Sequence, residues 1–405
     1  MRRYESYKDS GVEWLGEVPS HWNLIPNKYI FKLRKNVVGK RSNEYDLLSL
    51  SLKGVIKRDM ENLEGKFPAE FDTYQEVKEG DFIFCLFDVE ETPRTVGLSS
   101  HHGMITGAYT IFETNNVDKK FIYYFYLNLD SDKRLKPLYK GLRNTISKET
   151  FFSFNTFIPP LSEQQKIAQF LDDKTAKIDQ AVDLAEKQIA LLKEHKQILI
   201  QNAVTRGLNP DVPLKDSGVE WIGQAPEHWE VKKLKYLSKI KSGDSIINSN
   251  LSEEYLYEVF GGNGFMGYFY KYNVSGENII IGRVGALCGN IRYINEEKWI
   301  TDNALILNLI NLSKTLYSYV SYVLECANLN ALSVSNAQPL ITGTKVMNIS
   351  IAIPPLSEQK QIIDYLDKQT AKIDQAIALK TAHIEKLKEY KSVLINDVVT
   401  GKVRV

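Results

Sequence analysis

The 405-residue sequence predicts a mixed α/β (α+β) fold in which two globular domains are separated by a pair of long antiparallel coiled-coil helices, built on an internal pseudo-twofold repeat. Three observations predict it. Tyr7-Lys-Asp-Ser-Gly-Val-Glu-Trp14 returns as Leu214-Lys-Asp-Ser-Gly-Val-Glu-Trp221, and the copy runs on through Pro19-Ser-His21-Trp22 and Pro226-Glu-His228-Trp229. Ile158-Pro-Pro-Leu-Ser-Glu-Gln-Gln-Lys-Ile167 returns as Ile353-Pro-Pro-Leu-Ser-Glu-Gln-Lys-Gln-Ile362, and Thr-Ala-Lys-Ile-Asp-Gln-Ala stands at both 175–181 and 370–376. The third observation is a duplicated apolar seam with four-three spacing, the mark of a coiled coil.

That seam runs through Leu171, Thr175, Ile178, Val182, Ala185, Ile189, Leu192, Lys196 and Leu199. Its copy is Leu366, Thr370, Ile373, Ile377, Lys380, Ile384, Leu387, Lys391 and Leu394, which differs in character only where Lys380 replaces Ala185. Two such helices pack most economically against each other, antiparallel if the two halves are related by a pseudo-twofold axis. Pro159-Pro160 and Pro354-Pro355 cannot continue a helix backward, so each helix is expected to start there, with Ser162 or Ser357 accepting orphan amide protons and Ser162 with Gln165 forming a capping box. The ends are expected near Gly207 and Gly401, since glycine closes a helix in the left-handed conformation.

The blocks between the repeats, 31–157 and 238–352, read as globular and mixed. Asp81–Phe87 and Asn278–Ile281, bounded by Gly80 and Gly282, suggest short buried strands, and Phe121–Leu127 suits a helix. Block one carries 19 Lys and Arg against 18 Asp and Glu, and block two 8 against 9, so neither is a basic domain. Basic and amide side chains nevertheless stand beside glycine and aromatic residues in presumed loops: Lys57 and Arg58, Arg143 and Asn144, Asn263 and Tyr268, Arg283, and Gln338. Such loops suit base-edge reading, because Arg pairs with guanine and Asn or Gln with adenine, while glycine lets the backbone approach phosphates. An ordinary turn with solvated charges is the competing reading of each residue taken singly.

Composition narrows the class. The length allows two or three domains with cores of their own, and 43% hydrophobic with 25% charged residues is ordinary for a soluble protein. Cys85, Cys288 and Cys326 are scattered and odd in number, which suggests neither a disulfide framework nor a thiolate metal site and makes a reducing cytoplasm the simplest setting. There is no signal-like amino terminus and no apolar run long enough for a bilayer. A net charge of +1 means that any polyanion-binding surface must be local or supplied by partners.

Catalytic motifs are missing. No phosphate loop occurs, and Gly261-Gly-Asn-Gly264 lacks the following lysine and hydroxyl. The Pro-Pro pairs lack the polar residue and aromatic ring that DNA amino-methyltransferases use to hold a flipped base. His101-His102 has no companion ligand at metal spacing, and Asp88, Glu90 and Glu91 have no matching lysine pattern and no equivalent in block two. His21 and His228 recur within the repeat, which fits a duplicated packing or interface role better than catalysis. The sequence is read as having no catalytic residues, no metal site and no cofactor of its own.

The duplicated Pro-Leu-Ser-Glu-Gln helix start, the duplicated Trp-(Leu/Ile)-Gly-x-x-Pro-x-His-Trp segment and the two unlike blocks between them closely resemble the specificity subunit of Type I restriction-modification enzymes, over essentially the whole chain. The resemblance implies that the blocks are target-recognition domains, each reading half of a split double-stranded DNA site, and that the helices hold them apart. On that basis 1–157 holds the first repeat segment and target-recognition domain, 158–208 the central helical region, 209–352 the second repeat segment and domain, and 353–405 the C-terminal helical region. It further implies two methyltransferase (modification) subunits docked on the helices and a restriction/translocase subunit joining them, with S-adenosylmethionine, ATP and Mg bound by those partners. Two readers at a fixed separation imply two short half-sites and an unread spacer, and unlike blocks imply an asymmetric site. The alternative is a duplicated coiled-coil adaptor between proteins, which would show no salt-dependent affinity for DNA.

Overall fold

The computed structural model describes residues 2–59, 71–89, 91–141, 144–285, 287–333 and 339–405. The chain gathers into two compact units, Met1–Ala185 with Ala382–Val405, and Glu186–Thr381. Each takes part of both long helices, Leu161–Arg206 with 46 residues and Leu356–Val399 with 44.

In the first unit an antiparallel sheet runs in the order Phe31–Arg34, Thr110–Thr114, Phe82–Phe84, Val96–Leu98. Side chains alternate across a strand, so Phe82, Phe84 and Phe112 share a face. They pack with Phe31, Phe151 and Tyr126 at ring-centroid distances of 4.9 to 6.2 Å. Ile83 and Ile111 face the other way, into a cluster with Leu48, Val55, Val77 and Ile105. Tyr126 lies on the helix Lys119–Ser131, which covers the segment expected to be helical and starts where the Asp118 side chain accepts from the Phe121 amide at 2.9 Å.

The second unit builds the same sheet from unlike letters, in the order Ser238–Ser242, Ala304–Leu309, Glu277–Gly282, Ile291–Asn295. Ile279, Ile281, Leu305 and Leu307 pack with Tyr319, Val320 and Val323 of the helix Tyr317–Cys326. Ile280 and Ile306 join Val274 and Ile300 on the opposite face. The architecture therefore repeats through the blocks whose sequences do not.

The repeated letters join each helix start to a globular part. Glu163, in the first turn of its helix, accepts from Trp22 Nε1 at 3.1 Å, His21 Nε2 at 2.8 Å and the Tyr4 hydroxyl at 2.6 Å. Glu358 accepts from Trp229 Nε1 at 3.0 Å and His228 Nε2 at 2.7 Å. Both tryptophans are fully buried. The next residue is a latch: Gln164 accepts from the Asp118 amide at 2.8 Å and donates to the Pro159 carbonyl at 2.8 Å, and Gln359 accepts from the Leu316 amide at 2.9 Å and donates to the Pro354 carbonyl at 2.9 Å. About two turns further on, Tyr124 donates to Asp172 and Tyr322 to Asp367. His21 and His228 thus make the same contact in each unit, to the carboxylate in the first turn of the helix.

Helix ends close as expected, at Gly207 (φ +78°) and Gly401 (φ +75°), where a Cβ on Gly207 would crowd the Trp229 ring at 3.1 Å and one on Gly401 would overlap Pro19. The starts follow the Pro-Pro pairs as expected, but the serines do not cap them. The helices begin at Leu161 and Leu356, with Pro160 O and Pro355 O accepting the first-turn amides of Gln164 and Gln359 at 3.0 Å each. Ser162 and Ser357 are the second residues of their helices and so lie past the capping position; the proline carbonyl before each helix accepts its first intrahelical bond.

Every seam position is buried or half-buried. Leu171, Ile178, Leu366, Ile373, Ile384 and Leu394 are buried, and Val182, Ile189, Leu192, Leu199, Ile377 and Leu387 are half-buried. The helices run antiparallel: in the second unit Lys380 Nζ donates to Gln188 at 2.6 Å and Lys196 Nζ to Asp374 at 2.7 Å, so one position rises as its partner falls. In the first unit Lys391 meets Asp179 at 2.7 Å, the repeat-related copy of Lys196 with Asp374. The chain ends meet in the first unit, where the Arg404 amide donates to the Arg2 carbonyl at 2.8 Å. Among the described residues no helix is long and apolar enough to cross a membrane.

Substituting Glu163→Ala leaves the buried Trp22 N–H without its acceptor, a loss of about 1–3 kcal/mol. Thermal unfolding of the variant is expected to begin several degrees below the wild type. An unchanged melting curve would show that the first-turn carboxylate does not hold the helix to its unit.

Candidate nucleic-acid interface

In the second unit the hairpin Tyr257–Gly261/Gly264–Phe269 turns at Gly262-Asn263. Its tip touches the loop that follows Glu277–Gly282. A Cβ on Gly262 would lie 2.5 Å from Asn303 O and 3.2 Å from Val284 O, and one on Gly285 would lie 3.2 Å from Asn263 Oδ1. Only glycines permit this approach, which brings the predicted Asn263 beside the loop of the predicted Arg283. Asn263 and Asn303 line a cleft of about 280 Å³ whose rim is the exposed Phe265 and Met266. Tyr268 is half-buried on the same hairpin, its ring 5.2 Å from that of Phe265. Amide groups flanked by apolar side chains can accept and donate to a base edge while covering its methyl or ring face.

Arg283 itself lines a second depression, of about 550 Å³, with Lys235, Lys241, Ser242, Thr342 and Thr344. Its Nη1 donates to Ser242 Oγ at 3.2 Å, and its buried Nε has no partner. No carboxylate is in the lining. Lys235 stands over the Tyr236 ring at 5.3 Å, as Lys28 stands over Tyr29 at 4.9 Å in the first unit.

The first unit places its candidates differently. Lys57 ends the strand Gly54–Lys57, with its ammonium 2.6 Å from Asp46, so its charge is already partnered by an exposed carboxylate. The Arg58 amide donates to Leu47 O at 2.8 Å, which fixes the backbone leaving that strand. Asn144 (φ +44°) lies on a separate turn closed by the Lys140–Thr145 bridge. Arg143 and Gln338 lie outside the described residues. Sequence reading passed over Lys235 and Lys241; the signal for Lys235 was the pair Lys28-Tyr29 and Lys235-Tyr236, one repeat length apart.

Among the described residues no group of three or more His, Cys, Asp or Glu side chains is placed to hold a metal ion. Burial pushes the Cys326 thiol up to about 12 and those of Cys85 and Cys288 upward as well, so none is a ready thiolate nucleophile near neutral pH.

Comparison with known proteins agrees with this frame. The family model described as the type I restriction modification DNA specificity domain matches residues 105–193 and 226–389. The MjaVIII specificity subunit of a type I restriction enzyme from Methanocaldococcus jannaschii is 26% identical over 329 residues, covering 75% of each chain. The EcoKI specificity subunit from Escherichia coli is 20% identical over 89% of this chain and 84% of its own. Among solved structures, one from work on complex assembly and conformational transition of the type I system superposes with a TM-score of 0.69 at 14% identity, covering 95% of this chain and 99% of that one. The HsdS subunit from Thermoanaerobacter tengcongensis does so at 0.50, covering 95% and 98%. These likenesses show a shared fold, and the family model spans well over half of the sequence. The chain belongs to the family of type I restriction-modification DNA specificity subunits.

Proposed function

We propose that this chain reads a split, asymmetric duplex DNA site, one half with each globular unit, and docks two modification subunits and a restriction subunit that carry all of the chemistry. The single observation behind this reading is one frame with two unlike faces. The two units share a sheet and the Glu–Trp and Gln joints, yet the second offers the Asn263 cleft and the Arg283 depression where the first has the Lys57–Arg58 strand end and the Asn144 turn. Identical readers would imply a palindrome; unlike readers imply two different half-sites. S-adenosylmethionine, ATP and Mg belong, on this reading, to the partners.

Single-molecule methylation sequencing of DNA from cells expressing the chain with a matching modification subunit tests it. A new methylated motif of two unlike halves and a fixed gap is expected, absent when the modification subunit is expressed alone. With assembly verified, no new motif would favour a protein–protein adaptor, and a palindromic motif would overturn the assignment of one half to each unit.

The helix pair should act as the ruler. One heptad inserted into both long helices at the same level, after Ala185 and after Ile384, adds about 10 Å of helix. That corresponds to about three base pairs of spacer, with both half-sites unchanged. The same methylation map reads the result, and an unaltered gap would rule out the ruler.

A further inference from the structure

We propose that the second unit carries a phosphate-gripping surface that the first unit lacks: a cationic strip of Lys239 and Lys241 running into the depression of Lys235 and Arg283, which takes the sugar-phosphate backbone of duplex DNA. This rests on the DNA reading above and adds that the two units contribute unequally to non-specific affinity.

The two edge strands, Phe31–Arg34 and Ser238–Ser242, place cations at corresponding positions, Lys32 and Arg34 in one and Lys239 and Lys241 in the other. In the first unit both are neutralised. Lys32 Nζ lies 2.7 Å from Glu113, the residue opposite it on the neighbouring strand, and holds that carboxyl below its usual range. Arg34 donates to both oxygens of the buried Asp81 at 2.9 Å.

In the second unit the residue opposite Lys239 is Asn308, and Asn278 takes the place of Asp81 on the inner strand. Both acids have become amides, and the amides are occupied elsewhere. Asn308 donates to Asn278, which donates to Ser275 O at 3.0 Å and Gly276 O at 2.9 Å. A neutral amide cannot balance an ammonium. Among the described residues, no ion pair includes Lys235, Lys239, Lys241 or Arg283, and both strand lysines are exposed. Lys241 is common to the strip and the depression, where Ser242, Thr342 and Thr344 add hydroxyls that can donate to phosphate oxygens.

Each cation that meets a phosphate releases a condensed counterion, contributing about 0.9 to the slope of log affinity against log salt. The experiment titrates the assembled complex of chain and modification subunits with a scrambled-sequence duplex over a series of salt concentrations. Lys239→Gln with Lys241→Gln should flatten the slope by about two. Lys32→Gln in the first unit should leave it unchanged, and Asn308→Glu, which restores a carboxylate opposite Lys239, should flatten it by about one. An unaltered slope in the double variant, on a complex that otherwise binds steeply, overturns this assignment and leaves the DNA reading standing. A flat salt response of the wild-type complex overturns the DNA reading itself. If the double variant loses its modification subunits on gel filtration, the strip docks protein and the proposal is wrong.

Discussion

The carboxylate in the first turn of each long helix, with the glutamine that follows it, is the joint on which the remaining geometry rests. A helix N-terminus offers unsatisfied amides and a partial positive charge, and here the carboxylate of Glu163 or Glu358 stands in that first turn, held by the N–H of a buried tryptophan. The same turn reaches the globular part through Gln164 or Gln359. With three bonds fixed within one turn, the direction of some forty residues of helix is set at its base. The far end is fixed by contact and by bonds: Gly207 and Gly401 lie against Trp229 and Pro19, while the Tyr319 hydroxyl donates to Val204 O at 3.3 Å and the Tyr7 hydroxyl to Gly401 O at 3.2 Å.

Much of this was legible in the sequence because the joint repeats letter for letter. Pro-Pro-Leu-Ser-Glu-Gln and Pro-x-His-Trp are the residues whose polar atoms meet, and identity is enforced where a hydrogen bond needs one particular group. The seam was legible for a different reason, since its spacing alone buries the right face. The duplicated sheet was hidden: Phe82 and Phe84 in one unit stand where Ile279 and Ile281 stand in the other, and a core asks only for apolar volume. The serine caps were misread because the local pattern at Ser162 fits a capping box while each helix starts one residue earlier, at Leu161 and Leu356, which leaves the serine inside the first turn. Of the candidate contacts, Asn263 and Arg283 fell together only through glycine approaches between segments distant in sequence, and nothing local marks Lys57 as partnered by Asp46.

Charge shows the same limit from another side. A chain with a net charge near zero looks unsuited to a polyanion, yet pairing decides what a charge can do. Lys32 and Lys239 are equivalent in sequence and position, and differ only through the residue across the strand boundary, Glu113 or Asn308. Counting residues per block cannot register that difference, because the two members of each pair lie far apart along the chain.

The division of the long helices between units also has a consequence for how the protein is made. Glu186–Thr381 is one unbroken stretch, so the second unit has all its parts once that stretch has left the ribosome. The first unit, although its strands and Trp22 are made before the second unit, draws Leu394, Val398 and Val399 of its core from a segment that follows the second unit. Domains generally fold as units during synthesis, and here the order of completion is the reverse of the order of synthesis. Until residues 382–405 have been made, the first unit lacks part of its apolar core, and a chain cut between Thr381 and Ala382 would hold all of the second unit but not all of the first.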